Sequence, residues 1–460
     1  MNKIPKISVY MPNYNYIEFI DQAIKSVINQ NLNNWELLII QDGNIDNSEK
    51  IIKKYTKYFP DKIKVYRNKK RKGLQYCANL ALKKSRGKYI IRLDPDDYLD
   101  ESALLLMSSL LDKKKSVNLI YPDFFYVDKD SNILDIEKRK KIGVEDIALD
   151  LPAHGACTMI RKNKLIKLGG YNEKFKAQDG YDIWYKFFDK KNFYNISTPL
   201  FFYRQHNLSI TKNENVILRE RKKIKNYHFK RKDKNYKILF IVGAKKDTEN
   251  IKNVLFKKIK NQFLIDFTLD QLKNLKIKHK IIVNTDNKKT VDYIKKMKNN
   301  NFISIMRNKK LIETENLKLE EIINESISYS VDKNYFIPDI AVYLNSNAPL
   351  KNINEIMEGV HTLILHNFDK VISVYEDFDL HYMHSKNGLE ALAKRRHSEL
   401  RIEREALFVD NRAFSVYWTK LVSKKTNILK SKIGHVIMPR NSSYNIRTKD
   451  DLMLIKQLLK

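Results

Sequence analysis

Tyr89-Ile-Ile-Arg-Leu-Asp-Pro-Asp-Asp97 is the stretch that decides how the first half of this 460-residue chain is read. Tyr89 to Leu93 has the apolar and aromatic character of a short buried strand, and Asp94, Asp96 and Asp97 follow it directly. Upstream, the strands Ile7 to Met11, Trp35 to Ile40 and Lys64 to Tyr66 alternate with helical stretches. Ile17, Ile20, Ile24, Val27 and Ile28 recur at helical spacing, and Ile51 to Tyr58 is helical as well. That alternation predicts a largely parallel, helix-covered α/β sheet. Ligands of such sheets sit at the carboxyl ends of the strands, and Asp42 follows the second strand much as the acidic run follows the fourth. Three crowded carboxylates repel one another unless something positive lies among them, and a divalent cation with oxygen ligands is the simplest remedy. The competing reading is a turn that merely caps a helix starting near Ser102.

Two further clusters lie downstream. In Ala177-Gln-Asp-Gly-Tyr-Asp182, Asp179 is expected in a loop just before an aromatic-rich helix. Tyr203-Arg-Gln-His206 follows the apolar strand Leu200 to Tyr203. Taken singly, such an Asp is as readily an N-cap and such a His a satisfied surface residue.

Composition narrows the class. With 43% hydrophobic residues the chain has material for folded cores, and its length suggests two or three domains. Two cysteines, Cys77 and Cys157, make no disulfide scaffold, which with the lack of a secretory-type start points to the cytoplasm, with peripheral membrane contact as the furthest departure. The net charge of +33 is spread over both halves in a Lys-rich background, and no zinc-finger, RNA-binding or basic-zipper signature accompanies it. A solvated basic surface is therefore expected, not a nucleic-acid partner. The densest basic run, Arg219 to Lys237, precedes a second series of strands: Ile238 to Val242, Ile281 to Val283, Ala341 to Leu344, Val371 to Val374, Ala406 to Val409 and Val436 to Met438. The expected division is residues 1–217, a basic linker at 218–236, and residues 237–460.

Residues 5 to about 215 resemble the family 2 glycosyltransferases, whose catalytic domain has the GT-A fold. The matching elements, in order, are Ser8-Val-Tyr-Met-Pro-Asn-Tyr-Asn15, Ser26-Val-Ile-Asn-Gln30, Trp35-Glu-Leu-Leu-Ile-Ile-Gln-Asp-Gly43, and Gly73-Leu74 with Asn79. Gly87-Lys-Tyr-Ile90, Asp94-Pro-Asp-Asp97, Gly169-Gly-Tyr171, Gln178-Asp179 and Tyr203-Arg-Gln-His206 follow. The resemblance implies that Pro12, Tyr14 and Asp42 hold the base and ribose of a nucleotide-sugar donor, a UDP-sugar first among them, with Asp94 assisting at the sugar-nucleotide. It implies that Asp96 ligates Mg2+ or Mn2+ on the diphosphate, that His206 lies near the same diphosphate, and that Asp179 is the general base, with Asp182 second. Inversion at the anomeric carbon is also implied, with a surface glycan or glycoconjugate as acceptor. The chain departs from the family at Gln178, where Glu is usual, and at Gln41, where Asp is more common.

The second half resembles the cytidylyltransferases that make CMP-activated acidic sugars, through Asn253-Val254, Val283-Asn-Thr-Asp286, Leu344-Asn-Ser-Asn-Ala-Pro-Leu350, Val371-Ile-Ser-Val374, and Ile433-Gly434 through Pro439 to Asp450-Asp-Leu452. A second nucleotide-binding-type α/β domain, of nucleotidyltransferase-like fold, is implied. Its chemical positions differ from the family's. The phosphate loop reads Gly243-Ala-Lys-Lys-Asp-Thr248, without paired glycines, and the metal-binding Asp-Ile-Asp is Asn445-Ile-Arg447. Lys245, Lys246 and Arg447 then mark a vestigial nucleotide site in a domain expected to be inactive, serving self-association or docking of a pathway enzyme. Two alternatives stand beside this reading: a bifunctional enzyme that also activates an acidic sugar with CTP, and a non-enzymatic basic scaffold.

Overall fold

The computed structural model describes residues 4–139, 155–188, 192–206, 214–231, 236–297, 299–312, 318–333, 335–366, 368–377, 379, 381–386, 388–392, 407–422 and 432–459. They form two compact α/β units, one up to Ile224 and one from Lys225. Among these residues no helix is long and apolar enough to cross a membrane.

The strands of the first unit are β1 (Ile7–Asn13), β2 (Trp35–Asp42), β3 (Ile63–Asn68), β4 (Tyr89–Arg92), β5 (Tyr98–Leu99), β6 (Leu119–Val127), β7 (Ile133–Glu137), β8 (Met159–Arg161) and β9 (Phe193–Arg204). They make one sheet in the order β3-β2-β1-β4-β8-β6-β9-β5, with β7 on β6. The first four run parallel, and β8 enters antiparallel between β4 and β6. Helices α1 (Ile20–Ile28), α2 (Ser48–Tyr58), α3 (Leu74–Lys84), α4 (Ala103–Lys113), α5 (Lys162–Lys167) and α6 (Asp179–Phe188) connect them. The sheet is covered on both faces, because alternate residues of β1 feed different cores. Ile7, Val9 and Met11 pack with Ile20, Ala23, Ile24 and Val27 of α1, while Tyr10 packs with Leu38, Ala78 and Ala81. The helix expected from Ile17 begins at Ile20; Ile17 is exposed, and its amide is bonded instead to Asp46.

The basic stretch is helical as α7 (Glu214–Arg231). In the second unit come β10 (Ile238–Ala244), the small hairpin β11 (Lys258–Ile259) and β12 (Gln262–Phe263), β13 (His279–Thr285), β14 (Phe302–Met306), β15 (Ile340–Asn345) and β16 (Lys370–Asp377). A second hairpin, β17 (Tyr382–Ser385) and β18 (Gly388–Ala391), precedes β19 (Leu407–Trp418) and β20 (Ile433–Ile437). The main sheet runs β14-β13-β10-β15-β19-β16-β20. Its first four strands are parallel, and β19 is antiparallel to both neighbours. The strand expected from Ala406 to Val409 is the start of the much longer β19, with Ala406 itself outside the described residues.

Candidate active site

β2, β1 and β4 are neighbours in the sheet, so their carboxyl ends stand side by side at strand spacing. The Asp42 carboxylate, at the end of β2, accepts from Asn68 Nδ2 and from the backbone amides of Lys72 and Gly73, all at 2.8 Å. This ties the loop after β3 to the strand end. The fit is tight: Gly43 has φ +77°, and a Cβ there would stand 2.6 Å from the Arg71 amide nitrogen. The Arg71 guanidinium lies over the Tyr14 ring at 4.1 Å, just past Pro12 and the end of β1. Asn13, between Pro12 and Tyr14, donates to Ser48 Oγ and leaves its own Oδ1 buried without a partner.

The turn after β4 carries the acidic run, and two arginines hold it. Arg92 Nε lies 3.1 Å from Asp94 Oδ1, and Arg92 Nη1 lies 2.5 Å from Asp179 Oδ2. Arg204, 1% exposed, donates its backbone amide to Asp97 Oδ1, its Nε to the Asp96 carbonyl and its Nη2 to Gln22 Oε1. Its Nη1 donates to the carbonyls of Asp128 and Lys129. His206 Nε2 lies 3.0 Å from Asp96 Oδ2. The positive partners expected for the acidic run are thus supplied in large part by the chain. They do not remove all the repulsion. Burial pushes the Asp94 carboxyl up to about 6, with Asp96 and Asp179 adding to the shift and Arg92 opposing it. Burial, then Asp96 and Asp94, push Asp97 well above the carboxylate range, and its Oδ2 is buried without a partner. Tyr16 feels the same field: burial and then Asp96, Asp94 and Asp97 raise its hydroxyl, whose ring meets the His206 ring edge-on at 6.3 Å.

Asp179 is not in a loop before the helix but is the first residue of α6, after Gln178 at φ +62°. A carboxylate in a first helical turn is favoured by the helix dipole. Gln178 Oε1 accepts from Arg221 Nε, and Glu220 accepts from the Lys176 amide, so α7 fixes this segment. Asp182 is 1% exposed and paired with Lys186 Nζ at 2.9 Å, which also donates to the Gly170 carbonyl. Asp182 is thereby occupied in holding the helix, and Asp179 is the carboxylate brought to the acidic turn.

Among the described residues no group of three or more His, Cys, Asp and Glu converges as a metal-ligand set. A hard cation such as Mg2+ does not require one, since it commonly takes one or two carboxylates and completes its shell with substrate phosphates and water. Asp96 beside His206, with the unpartnered Asp97 oxygen on the same turn, fits that kind of donor set.

In the second unit, Lys245 and Lys246 are exposed at the end of β10, and the Lys246 amide donates to Asp286. Arg447 lines a cleft of about 300 Å3 with Glu249, Asn345, Asn347, Arg412 and Asn445. Only Arg447 of the three basic residues singled out in the sequence belongs to that cleft.

With this geometry in view, the sequence pattern described as Glycosyl transferase family 2 matches residues 8–169, about a third of the chain. Residues 8–169 form a family 2 glycosyltransferase domain. Its parallel strands, with the acidic turn after β4, give the first unit a GT-A-like twisted sheet, and the second unit is also α/β. EpsE of Bacillus subtilis (strain 168) is 28% identical over 212 residues, 45% of this chain and 75% of EpsE. The minor teichoic acid biosynthesis protein GgaB of the same strain is 30% identical over 34% of this chain, which is only 18% of GgaB. The solved structure of S. aureus TarS 1-349 in complex with UDP-GlcNAc aligns with a TM-score of 0.42 at 16% identity, over 48% of this chain and 65% of that one.

Sequence reading passed over Arg92, Arg204 and Tyr16 as site residues. A signal existed for the first: an arginine inside an apolar strand needs buried partners, and Arg92 has two. The raised Asp94 carboxyl has a consequence for stability. The folded chain holds a proton on Asp94 between about pH 4 and pH 6 that the unfolded chain does not, so this contribution is present in acid and lost as pH rises through about 6. Asp94→Asn should therefore melt a few degrees above the wild type at pH 8, with the gap closing toward pH 4. Equal melting temperatures at both pH values would show that Asp94 carries no such penalty.

Proposed function

We propose that the first unit transfers a sugar from a nucleotide-sugar donor, a UDP-sugar first among the candidates, to a hydroxyl of a glycan or glycoconjugate acceptor, with inversion. The observation that carries this reading is the meeting, at the carboxyl end of one sheet, of Asp94 and Asp96 after β4, His206 after β9 and Asp179 on α6. Pro12, Tyr14 and Asp42, along the neighbouring strand ends, would receive the base and ribose. Cleaving a sugar–diphosphate bond builds negative charge on the leaving group, and a divalent cation held by Asp96 would offset that charge. A hydroxyl is a weak nucleophile at neutral pH, so a carboxylate must take its proton as the new bond forms. Asp179 suits that role because Arg92 joins it to Asp94 of the acidic turn, whereas the partner of Asp182 is Lys186 of its own helix.

Two measurements test this. Asp96→Ala should abolish transfer and remove any Mn2+-dependent gain in UDP binding by calorimetry while leaving the fold intact; full turnover in that variant, or in excess chelator, would refute the cation's role. Asp179→Asn should slow the chemical step by roughly a hundredfold or more with donor affinity little changed. A larger loss in Asp182→Asn would transfer the role to Asp182.

For the part of the second unit from about residue 237 onward, we propose a docking or self-association module without nucleotidyl transfer. The cleft at the ends of β10 and β15 presents the amides of Asn345, Asn347 and Asn445 with Arg412 and Arg447. Glu249 is its sole carboxylate, a poor start for a metal site that must serve a triphosphate. The full chain should release no pyrophosphate from CTP with acidic sugars and Mg2+. Release that disappears in Arg447→Ala would establish the bifunctional alternative instead.

A further inference from the structure

The Arg92 side chain is 6% exposed and reaches two carboxylates from distant segments, Asp94 on its own strand end and Asp179 on α6. The pair is packed against backbone: a Cβ on Gly155 would stand 3.0 Å from both Arg92 Nη2 and Asp179 Oδ2. Behind it, the Tyr10 hydroxyl donates to the Tyr171 hydroxyl at 3.0 Å, and both rings sit in the field of Arg92 and Asp179. Arg92 Nη1 engages Oδ2 of Asp179, and among the described residues Oδ1 accepts no hydrogen bond. The two oxygens of this carboxylate are therefore inequivalent before any substrate arrives.

We propose, resting on the reading of Asp179 as the base, that Arg92 is a positioning residue which fixes Oδ1 of Asp179 as the oxygen that takes the acceptor proton, and which ties that oxygen's place to the donor side through Asp94. In the step so arranged, the acceptor hydroxyl oxygen forms the bond to the anomeric carbon and its proton passes to Asp179 Oδ1. The bond from the anomeric carbon to the diphosphate oxygen breaks, and the nucleoside diphosphate leaves with the electron pair. A guanidinium can serve both carboxylates because its nitrogens project in a fixed fork, whereas an ammonium is a single point.

The test is a double-mutant cycle on transfer kinetics. Arg92→Met should lower kcat at least about tenfold in the otherwise wild-type chain but less than about threefold in an Asp179→Asn chain, because a residue that acts through another loses its effect when that other is gone. KM for the donor should stay within about threefold of wild type. Equal losses in both backgrounds would overturn the proposal while leaving Asp179 as the base. Undiminished turnover in Asp179→Asn alone would overturn both. Should unpaired buried carboxylates keep Arg92→Met from folding, Arg92→Lys decides the matter: it keeps the charge without the fork, and should fold, bind donor normally and turn over at least about tenfold more slowly. Wild-type kcat in Arg92→Lys would overturn the proposal.

Discussion

The guanidinium of Arg92 cannot lose its proton in a protein and is almost wholly removed from water, so the fold must deliver carboxylates to it or pay heavily in desolvation. One carboxylate comes from the same strand end. The other comes from Asp179, and bringing it there dictates much of the unit's later half: the positive φ at Gln178, the start of α6, and the bonds from Arg221 and Glu220 that hold residues 176–178. Arg204 plays the matching part on the other side of the turn, joining Asp96 and Asp97 to the β6–β7 connection and to α1 through Gln22. Two buried cations thus organise five distant segments around one acidic turn. The site is precise because an unpaired charge in that place would be more costly than the ordering of the segments that satisfy it.

The two sheets invite comparison strand by strand. Each opens with three parallel strands in reversed order and a fourth parallel strand beside the first, followed by an antiparallel neighbour. At the end of the fourth strand the first unit places Asp94-Pro-Asp96, and the second places Asn345-Ser-Asn347. Replacing carboxylate by carboxamide keeps the shape and hydrogen-bonding capacity of the turn while removing its charge. The second unit consequently needs no buried arginine at that strand end. Its loop is held by Lys351, whose ammonium donates to the carbonyls of Asn345 and Ala348 and to Thr268 Oγ1. Burial pushes this amine down to about 7. The same framework therefore supports two opposite local charge arrangements.

Much of this was legible in the sequence, for a physical reason. Buried parallel strands are short continuous apolar runs, and Ile7 to Met11, Trp35 to Ile40 and Tyr89 to Leu93 are such runs, so strand type and the placing of Asp42 and Asp94 at strand ends could be read directly. The base assignment needed more than local pattern. Asp179 and Asp182 are both buried acids on one helix, and what separates them is Arg92 on one side and Lys186 on the other. The first of these pairings spans 87 positions and leaves no periodic trace. The start of β19 was legible as a strand, but its length was not, because the polar run Asp410-Asn-Arg412 separates its first apolar residues from the buried run that begins at Ala413.

The overall charge and the site's charge have opposite signs, and this bears on how a polyanionic donor would be handled. A net +33 spread over the surface draws an anion toward the protein at long range. At the turn itself the donor's diphosphate would face Asp94 and Asp96, where two like charges about 4 Å apart repel by about 4 kcal/mol even at an effective dielectric constant of 20. Arg92 and Arg204 relieve this only in part, since Arg92 already faces Asp94 and Asp179 and Arg204 donates to Gln22 and to backbone carbonyls. Attraction at a distance and repulsion at contact are reconciled only by a further positive charge at the turn, either a cation that arrives with the diphosphate or a proton on one of the carboxylates. A proton would be available to Asp94 only below about pH 6. Asp97 keeps its proton to higher pH, but Asp94 and Asp96 would then still face the diphosphate, and a cation arriving with it would be their complement, most of all where Asp94 is ionised.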